Sequence, residues 1–384
     1  MDITPIHDAL GYQRPEEATL ESKRAHALVA RALDVRWLDD GAELRFDPAL
    51  RDEVTAFAEA FGRRHATHRY EVRSGDVGEL WLVARGPGAE RWLRRSVASA
   101  APTLGARLRS RLRLADRVRS LTRRARVLPD AFLVGAPRCG TTTLFHALRE
   151  HPSVVMPARK ELAFFNVLHR HGLDWYRSQF PTTLERQAVL RRTGAFATLD
   201  ATPSYLFHPH AARRIRAVAP GARLLVLLRD PVARAYSQYH WARGMGYELL
   251  PFEEACEREA QRTDGELQRM RDDPDYLSFP RSYLSYLAMG QYAEQLEAWL
   301  DVFPSEQLLV LCTEDLPARQ EESLASVCDH LGLPRAPLPL PERNTGSYPS
   351  MPAATRDRLR EHFRPHDERL AALLGREPGW LRGR

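Results

Sequence analysis

Gly135 and Gly140 stand five positions apart, between an apolar run and three successive threonines, Thr141, Thr142 and Thr143. A strand, a glycine-bearing turn and a helix N-terminus in that order form a cradle for an anion. Exposed N–H groups point inward and the helix dipole adds partial positive charge. Glycine lets the backbone approach a ligand closely, and the threonine hydroxyls add donors. A nucleoside-triphosphate loop of the GxxxxGK[ST] type needs lysine after its second glycine. Thr141 stands there instead, and the loop's cation comes earlier, at Arg138.

Two further constellations carry chemistry. Arg229 ends a strongly apolar strand, RLLVLLR, and Asp230-Pro231 reads as the N-cap and first position of the helix that carries Ser237. A guanidinium fork matches the oxygens of a phosphate. Glu161 follows Lys160 in the segment HPSVVMPARKELAFF. A carboxylate in a partly desolvated cleft removes a proton from an attacking hydroxyl or amine. His146, His151, His169 and His171 read as structural or exposed, and Tyr283, Tyr286, Tyr292 and Trp299 as core.

These residues need a scaffold. From Ala131 onward, apolar strand-like runs (AFLVGA, FATLD, RLLVLLR, QLLVLC) alternate with helical stretches (TTTLFHALREH, HPHAARRIRAV, VARAYSQYHWAR, GQYAEQLEAWLDVF). This pattern predicts an α/β fold: a P-loop-like, mainly parallel sheet with helices on both faces. Ligands then gather at the carboxyl ends of the strands. A last helical region, MPAATRDRLREHFRPHDERLAALLG, closes the chain. Residues 1–100 read as a small N-terminal α+β extension, with a helical stretch at ESKRAHALVARAL and strands at ELRF, RYEV and ELWLVA. Residues 101–128 read as an arginine-rich helical connector, with nine arginines between Arg107 and Arg126, and 129–384 as the catalytic unit. The segment from Gly244 to Arg281 is polar and rich in loop signals, which makes it the expected acceptor-facing insertion.

Composition narrows the rest. The 384 residues carry a net charge of +6, which favours anionic ligands without naming one. Only Lys23 and Lys160 are lysines among the 56 basic residues. The four cysteines form no CxxC pair, so no metal is expected and a reducing compartment fits. The first residues lack a cationic stretch followed by an apolar run, and no run of about 18 apolar residues occurs. The expected location is cytoplasmic, with peripheral membrane contact through the basic face of 107–126 as an alternative to a packed connector.

The motifs together resemble the PAPS-dependent sulfotransferase family (PAPS is 3′-phosphoadenosine-5′-phosphosulfate), nearest to its heparan-sulfate-type members and their bacterial relatives. FLVGAPRCGTTTL is similar to that family's 5′-phosphosulfate loop and VLLRDPVARAYSQY to its 3′-phosphate motif. In HPSVVMPARKELAFF the acidic residue precedes an aromatic pair as in glycan-type members. The resemblance implies donor contacts from Arg138, Cys139, Gly140, Thr141, Thr142, Thr143, Arg229 and Ser237, and from the late loop RNTGSYPSM through Arg343, Thr345 and Gly346. It implies Glu161 as general base and gives Arg138, where many relatives carry lysine, the 5′-phosphate and the leaving oxygen. Lys160 is assigned a contact with donor or acceptor. The expected reaction is in-line sulfuryl transfer from PAPS, releasing 3′,5′-ADP without a metal, to a small-molecule, lipid or carbohydrate acceptor and not to nucleic acid. LDATPSYLF matches a glycan-type segment except that Ala201 replaces its lysine, which counts against a glycosaminoglycan-like acceptor mode. The alternative is a nucleotide-binding P-loop protein, kinase-like or non-catalytic.

Overall fold

The computed structural model describes residues 34–38, 41–46, 48–64, 69–74, 80–85, 119, 121–245, 247–340 and 348–382. The N-terminal part is a four-stranded antiparallel sheet in the order β1-β2-β4-β3. Its strands are β1 (Asp34–Leu38), β2 (Gly41–Phe46), β3 (Arg69–Ser74) and β4 (Leu80–Arg85). Helix α1 (Arg51–Arg64) packs with it. Leu44 and Phe46, with Leu80, Leu82 and Ala84, alternate onto one sheet face and meet Val54, Phe57 and Ala58 of α1. The helix expected at ESKRAHALVARAL lies outside the described residues. Strand β1 and helix α1 did not stand out in the sequence, although Val54, Phe57 and Ala58 recur at helical spacing.

The second sheet is parallel throughout. Strands β5 (Ala131–Gly135), β6 (Leu199–Ala201), β7 (Arg223–Leu228) and β8 (Leu308–Cys312) lie in the order β6-β5-β7-β8. Leu224 to Leu228 are all fully buried. Successive strand residues face opposite ways, so helices must cover both faces. Helices that do so include α2 (Thr141–Arg149), α5 (Ala211–Val218), α11 (Tyr292–Leu300) and α13 (Gln320–Leu331). Between α2 and α5 lie α3 (Gly172–Ser178) and α4 (Thr183–Thr193). After β7 come α6 (Pro231–Gly244), α7 (Phe252–Glu257), α8 (Glu259–Thr263), α9 (Glu266–Asp272) and α10 (Phe279–Tyr283). Helix α12 (Asp315–Ala318) follows β8, and α14 (Ala353–Leu374) comes near the end of the chain. The chain leaves β5 for β6 on one side and returns to β7 on the other. That reversal puts a crevice at the carboxyl ends of β5 and β7.

The segment 244–281 is more ordered than its composition suggested. It folds into α7 to α10 because three buried carboxylates find donors. Glu248 accepts from Leu249 N and Leu250 N (both 3.0 Å), from Arg262 and from the Tyr286 hydroxyl (2.9 Å). Glu259 accepts from Leu287 N (2.6 Å) and Ala288 N (2.8 Å), and Glu266 from the Tyr276 hydroxyl (2.8 Å). Acids that read as loop in sequence act here as internal staples.

Gly135 has a packing reason that the motif alone does not give. A Cβ built there would meet Leu206 Cβ and Cδ2 at 2.5 Å. Leu206 cannot withdraw, because its N–H donates to Val134 O at 2.8 Å. Gly135→Ala is therefore expected to destabilise the protein by about 3 kcal/mol, at the upper end for overpacking, read as a lowered thermal midpoint. An unchanged midpoint would mean that this contact relaxes freely.

Candidate active site

Each strand of the parallel sheet delivers one part of the site at its carboxyl end. Beyond β5 the chain turns at Pro137–Gly140 and enters α2. Arg138 (φ 68°) and Gly140 (φ 79°) are both left-handed. Gly140 meets that demand at no steric cost, whereas Arg138 is held there by its surroundings. Thr313, just past β8, fixes the turn from below: its hydroxyl lies 2.6 Å from Cys139 O and 2.9 Å from Leu228 O. Gly140 caps α2 without a side-chain acceptor. Among the described residues the N–H groups of Arg138, Gly140, Thr141 and Thr142 have no protein acceptor, whereas Thr143 N donates to Gly140 O at 2.9 Å. Four N–H groups at the start of α2 are thus left without a protein acceptor, as an anion cradle requires.

The guanidiniums of Arg138 and Arg229 stand at this loop, and that of Arg234 is buried close enough for its charge to act on Arg138. Arg138 Nε donates to Ser237 Oγ at 3.1 Å, and Arg229 Nη1 to Arg138 O at 3.3 Å. Arg234, fully buried on α6, donates to Tyr286 O and contacts Met289 Sδ at 3.8 Å, while its Nε has no partner. Among the described residues none of the three has a carboxylate at ion-pair distance. Burial, followed by the nearby charges of Arg229 and Arg234, depresses the affinity of Arg138 for its proton. Glu259 balances Arg234 and Glu314 balances Arg229 at longer range, while the like charges around Arg138 favour a bound anion. Arg234 was missed in the sequence. It lies three residues before Ser237, on the same helix face, and that spacing was the available signal.

Cys139 does not present its thiol to the crevice. Its side chain is fully buried, with Sγ 3.7 Å from Tyr292 Oη, and burial pushes the thiol up to about 11. Its N–H goes to Ala136 O at 3.3 Å. It is therefore a packing residue beneath the loop. Thr141 is buried and Thr142 and Thr143 half-buried on the first turn of α2. Arg343, Thr345 and Gly346 lie outside the described residues. Tyr348, the next described residue, stacks on His240 (4.4 Å between centroids).

Glu161 sits at the end of β6. Its N–H donates to Ala201 O at 3.1 Å, and its φ of 58° is left-handed, as is that of Ala163 (53°). Lys160 Nζ donates to Glu161 Oε1 at 2.6 Å and lies 6.0 Å from the centroid of the Phe145 ring on α2. Both side chains keep some exposure, 16% for Lys160 and 31% for Glu161, so the pair borders open space. Tyr283 on α10 stands near: burial first, and then the charge of Glu161, raises its hydroxyl. Tyr283 is thus a half-buried wall of the cleft, whereas Tyr286, Tyr292 and Trp299 are core. His151 is structural, with Nε2 2.8 Å from Pro334 O. Among the described residues no cluster of His, Cys, Asp or Glu would hold a metal.

The family model of the sulfotransferase domain matches residues 128–344, more than half of the chain, a span that contains Arg138, Glu161, Arg229 and Ser237. The chain belongs to the sulfotransferase domain family. Curated relatives include a membrane-associated sulfotransferase, kil1, of Dictyostelium discoideum, 26% identical over 321 residues and covering 66% of each chain. Human heparan sulfate glucosamine 3-O-sulfotransferase 6 is 29% identical, over 66% of this chain and 74% of the relative. Mouse heparan sulfate glucosamine 3-O-sulfotransferase 3A1 is 30% identical, over 66% and 64%. The chain thus spans about two thirds of the length of these relatives. Among solved structures, a sulfotransferase from Alicyclobacillus acidocaldarius is 29% identical, with a TM-score of 0.49, over 65% of this chain and 97% of its own. Sulfuryl transfer is the chemistry that this sulfotransferase domain carries, and its phosphate loop, Glu161 and Arg229 all fall inside the matched span.

Proposed function

We propose that the protein moves a sulfuryl group from PAPS to a hydroxyl or amine, with residues 129–384 as the catalytic unit. The observation that carries this reading is that Arg138 and Arg229, with no carboxylate at ion-pair distance among the described residues, stand at the loop where the N–H groups of Arg138, Gly140, Thr141 and Thr142 have no protein acceptor. Such a site suits a ligand with two separated anionic groups. In this reading the loop and Arg138 hold the 5′-phosphosulfate, while Arg229 and Ser237 hold the 3′-phosphate. Glu161 takes the acceptor's proton as its oxygen or nitrogen bonds to sulfur. The bond from sulfur to the 5′-phosphate oxygen breaks, and Arg138 stabilises the charge that collects on that oxygen. Guanidinium does not release a proton readily, so Arg138 acts by charge. Lys160 holds the Glu161 carboxylate toward the cleft.

The acceptor class is a carbohydrate, lipid or other small molecule. The heparan sulfate relatives support a carbohydrate, and Ala201 separates its binding mode from theirs. Membrane contact through 107–126 is supported by the description of one relative as membrane-associated. Two arginines of that segment are engaged within the protein: Arg123 Nε donates to Asp174 at 2.9 Å, and Arg126 to Phe180 O. Among the described residues no helix is long and apolar enough to cross a membrane. The test is calorimetric titration with 3′,5′-ADP, followed by turnover of PAPS against amino sugars, desulfated glycan fragments and lipid alcohols. Micromolar binding of 3′,5′-ADP with sulfation of one acceptor is expected. Magnesium-dependent ATP turnover without 3′,5′-ADP binding would overturn the reading.

A further inference from the structure

Asp200 is fully buried at the middle of β6, and among the described residues no cation pairs with it. Three hydroxyls donate to it: Thr202 Oγ1 at 2.6 Å, Tyr205 Oη at 2.8 Å and Tyr176 Oη at 3.0 Å. A hydroxyl has one proton, so Thr202 and Tyr205 have only lone pairs left to offer elsewhere. Those lone pairs are used at once. Ala163 N donates to Thr202 Oγ1 (3.2 Å), and Phe164 N (2.9 Å) and Phe165 N (3.3 Å) to Tyr205 Oη. The backbone held in this way is the turn containing Glu161 and Ala163, both left-handed. Glu161 N is tied in turn to Ala201 O, the residue after Asp200.

We infer that Asp200 is a positioning residue for Glu161, its carboxylate turning the Thr202 and Tyr205 hydroxyls so that their lone pairs accept from the N–H groups of Ala163, Phe164 and Phe165. The inference rests on the reading of Glu161 as the base. Only an acceptor-only group takes three hydroxyl protons at once. An amide keeps one acceptor oxygen but puts an NH2 group where either Thr202 or the two tyrosines now donate. A protonated carboxyl sends its own proton at one of the hydroxyl oxygens, and at Tyr205 that oxygen already receives two N–H groups. The strained turn then loses part of its frame. The groups facing Asp200 are Thr202, Tyr205 and Tyr176, with the Glu161 carboxylate, paired to Lys160, acting at longer range. Burial above all raises Asp200 from 3.8 to about 6, the charge of Glu161 adding to the rise. The frame is therefore intact at neutral pH and loosens as Asp200 takes up a proton below about pH 6.

The sign for stability is opposite to the sign for activity. Between the two values the native state holds a proton that the unfolded chain has released, so this group's contribution to stability falls as pH rises through that window. Asp200 thus carries a cost at neutral pH that a purely structural residue would avoid.

The test compares Asp200→Asn and Thr202→Val with the wild type, using PAPS and the best acceptor of the panel above. Each variant is expected to bind 3′,5′-ADP within about twofold of the wild type while kcat falls, by about tenfold or more for Asp200→Asn and several-fold for Thr202→Val. The wild-type kcat is expected to decline below about pH 6, and that limb to be absent in Asp200→Asn. On a Glu161→Gln background neither change is expected to lower kcat further, because both act through Glu161. Wild-type kcat in Asp200→Asn overturns the inference, as does a parallel loss of 3′,5′-ADP binding, which marks a general structural role. If Asp200→Asn does not fold, Thr202→Val decides alone: unchanged kcat overturns the inference. A wild type that binds no 3′,5′-ADP overturns the sulfotransfer reading itself, whereas one that binds and transfers normally alongside a fully active Asp200→Asn sinks only the role of Asp200.

Discussion

Glu161→Gln is expected to lower kcat by about 10³-fold while the Kd for 3′,5′-ADP stays within about twofold. The change is isosteric and removes only the capacity to accept a proton. Lys160 Nζ, now 2.6 Å from Glu161 Oε1, retains an oxygen to donate to. The turn keeps its left-handed backbone, because the bonds that fix it come from Ala201 O, Thr202 and Tyr205 and not from the Glu161 side chain. Stability should change by less than about 1 kcal/mol, since a partly exposed ion pair contributes little. The loss therefore falls on the chemical step. A variant with full kcat would remove Glu161 as base and leave Lys160 and Tyr283 as the titratable groups beside it. A variant that lost 3′,5′-ADP binding as well would show that Glu161 shapes the donor site.

The parallel sheet was legible because its strands are buried on both faces. Four apolar runs separated by helical stretches admit few other arrangements, and β5 to β8 fall on those runs. The phosphate loop and the Arg229–Ser237 pair were legible for a different reason: their spacing is local, set by one turn and two turns of helix. What escaped depends on contacts far apart in sequence. The need for glycine at 135 comes from Leu206, 71 positions later. The value of Asp200 comes from Tyr176 on one side and from the 161–165 turn on the other. Glu248, Glu259 and Glu266 look like solvated acids until Arg262, Tyr286 and the backbone of 287–288 are folded against them. Local pattern thus picked out the candidate groups, and long-range hydrogen bonds determine how firmly each is held.

Arg229→Ala carries the other large effect. A hydrogen-bonded charge pair is worth about 1.5–3 kcal/mol, so the Kd for 3′,5′-ADP is expected to rise about 10- to 100-fold. The same variant is expected to bind 5′-AMP, which lacks the 3′-phosphate, within about threefold of the wild type. That contrast separates loss of one phosphate contact from general damage. The separation matters because Arg229 Nη1 also donates to Arg138 O, at 3.3 Å, and truncation frees one carbonyl of the phosphate loop. If the loop suffered, both ligands would weaken together. Ser237→Ala supplies the complement. It removes the hydroxyl that accepts from Arg138 Nε at 3.1 Å and leaves all three guanidiniums in place. Its loss should be smaller, about 1 kcal/mol, and, because Ser237 also holds Arg138, it should touch both ligands. Raising the salt should erode the Arg229 effect only in part. Arg138 and Arg234 lie in partly or wholly buried surroundings, where mobile ions screen poorly, so the field that draws in the second phosphate persists when the first contact is gone.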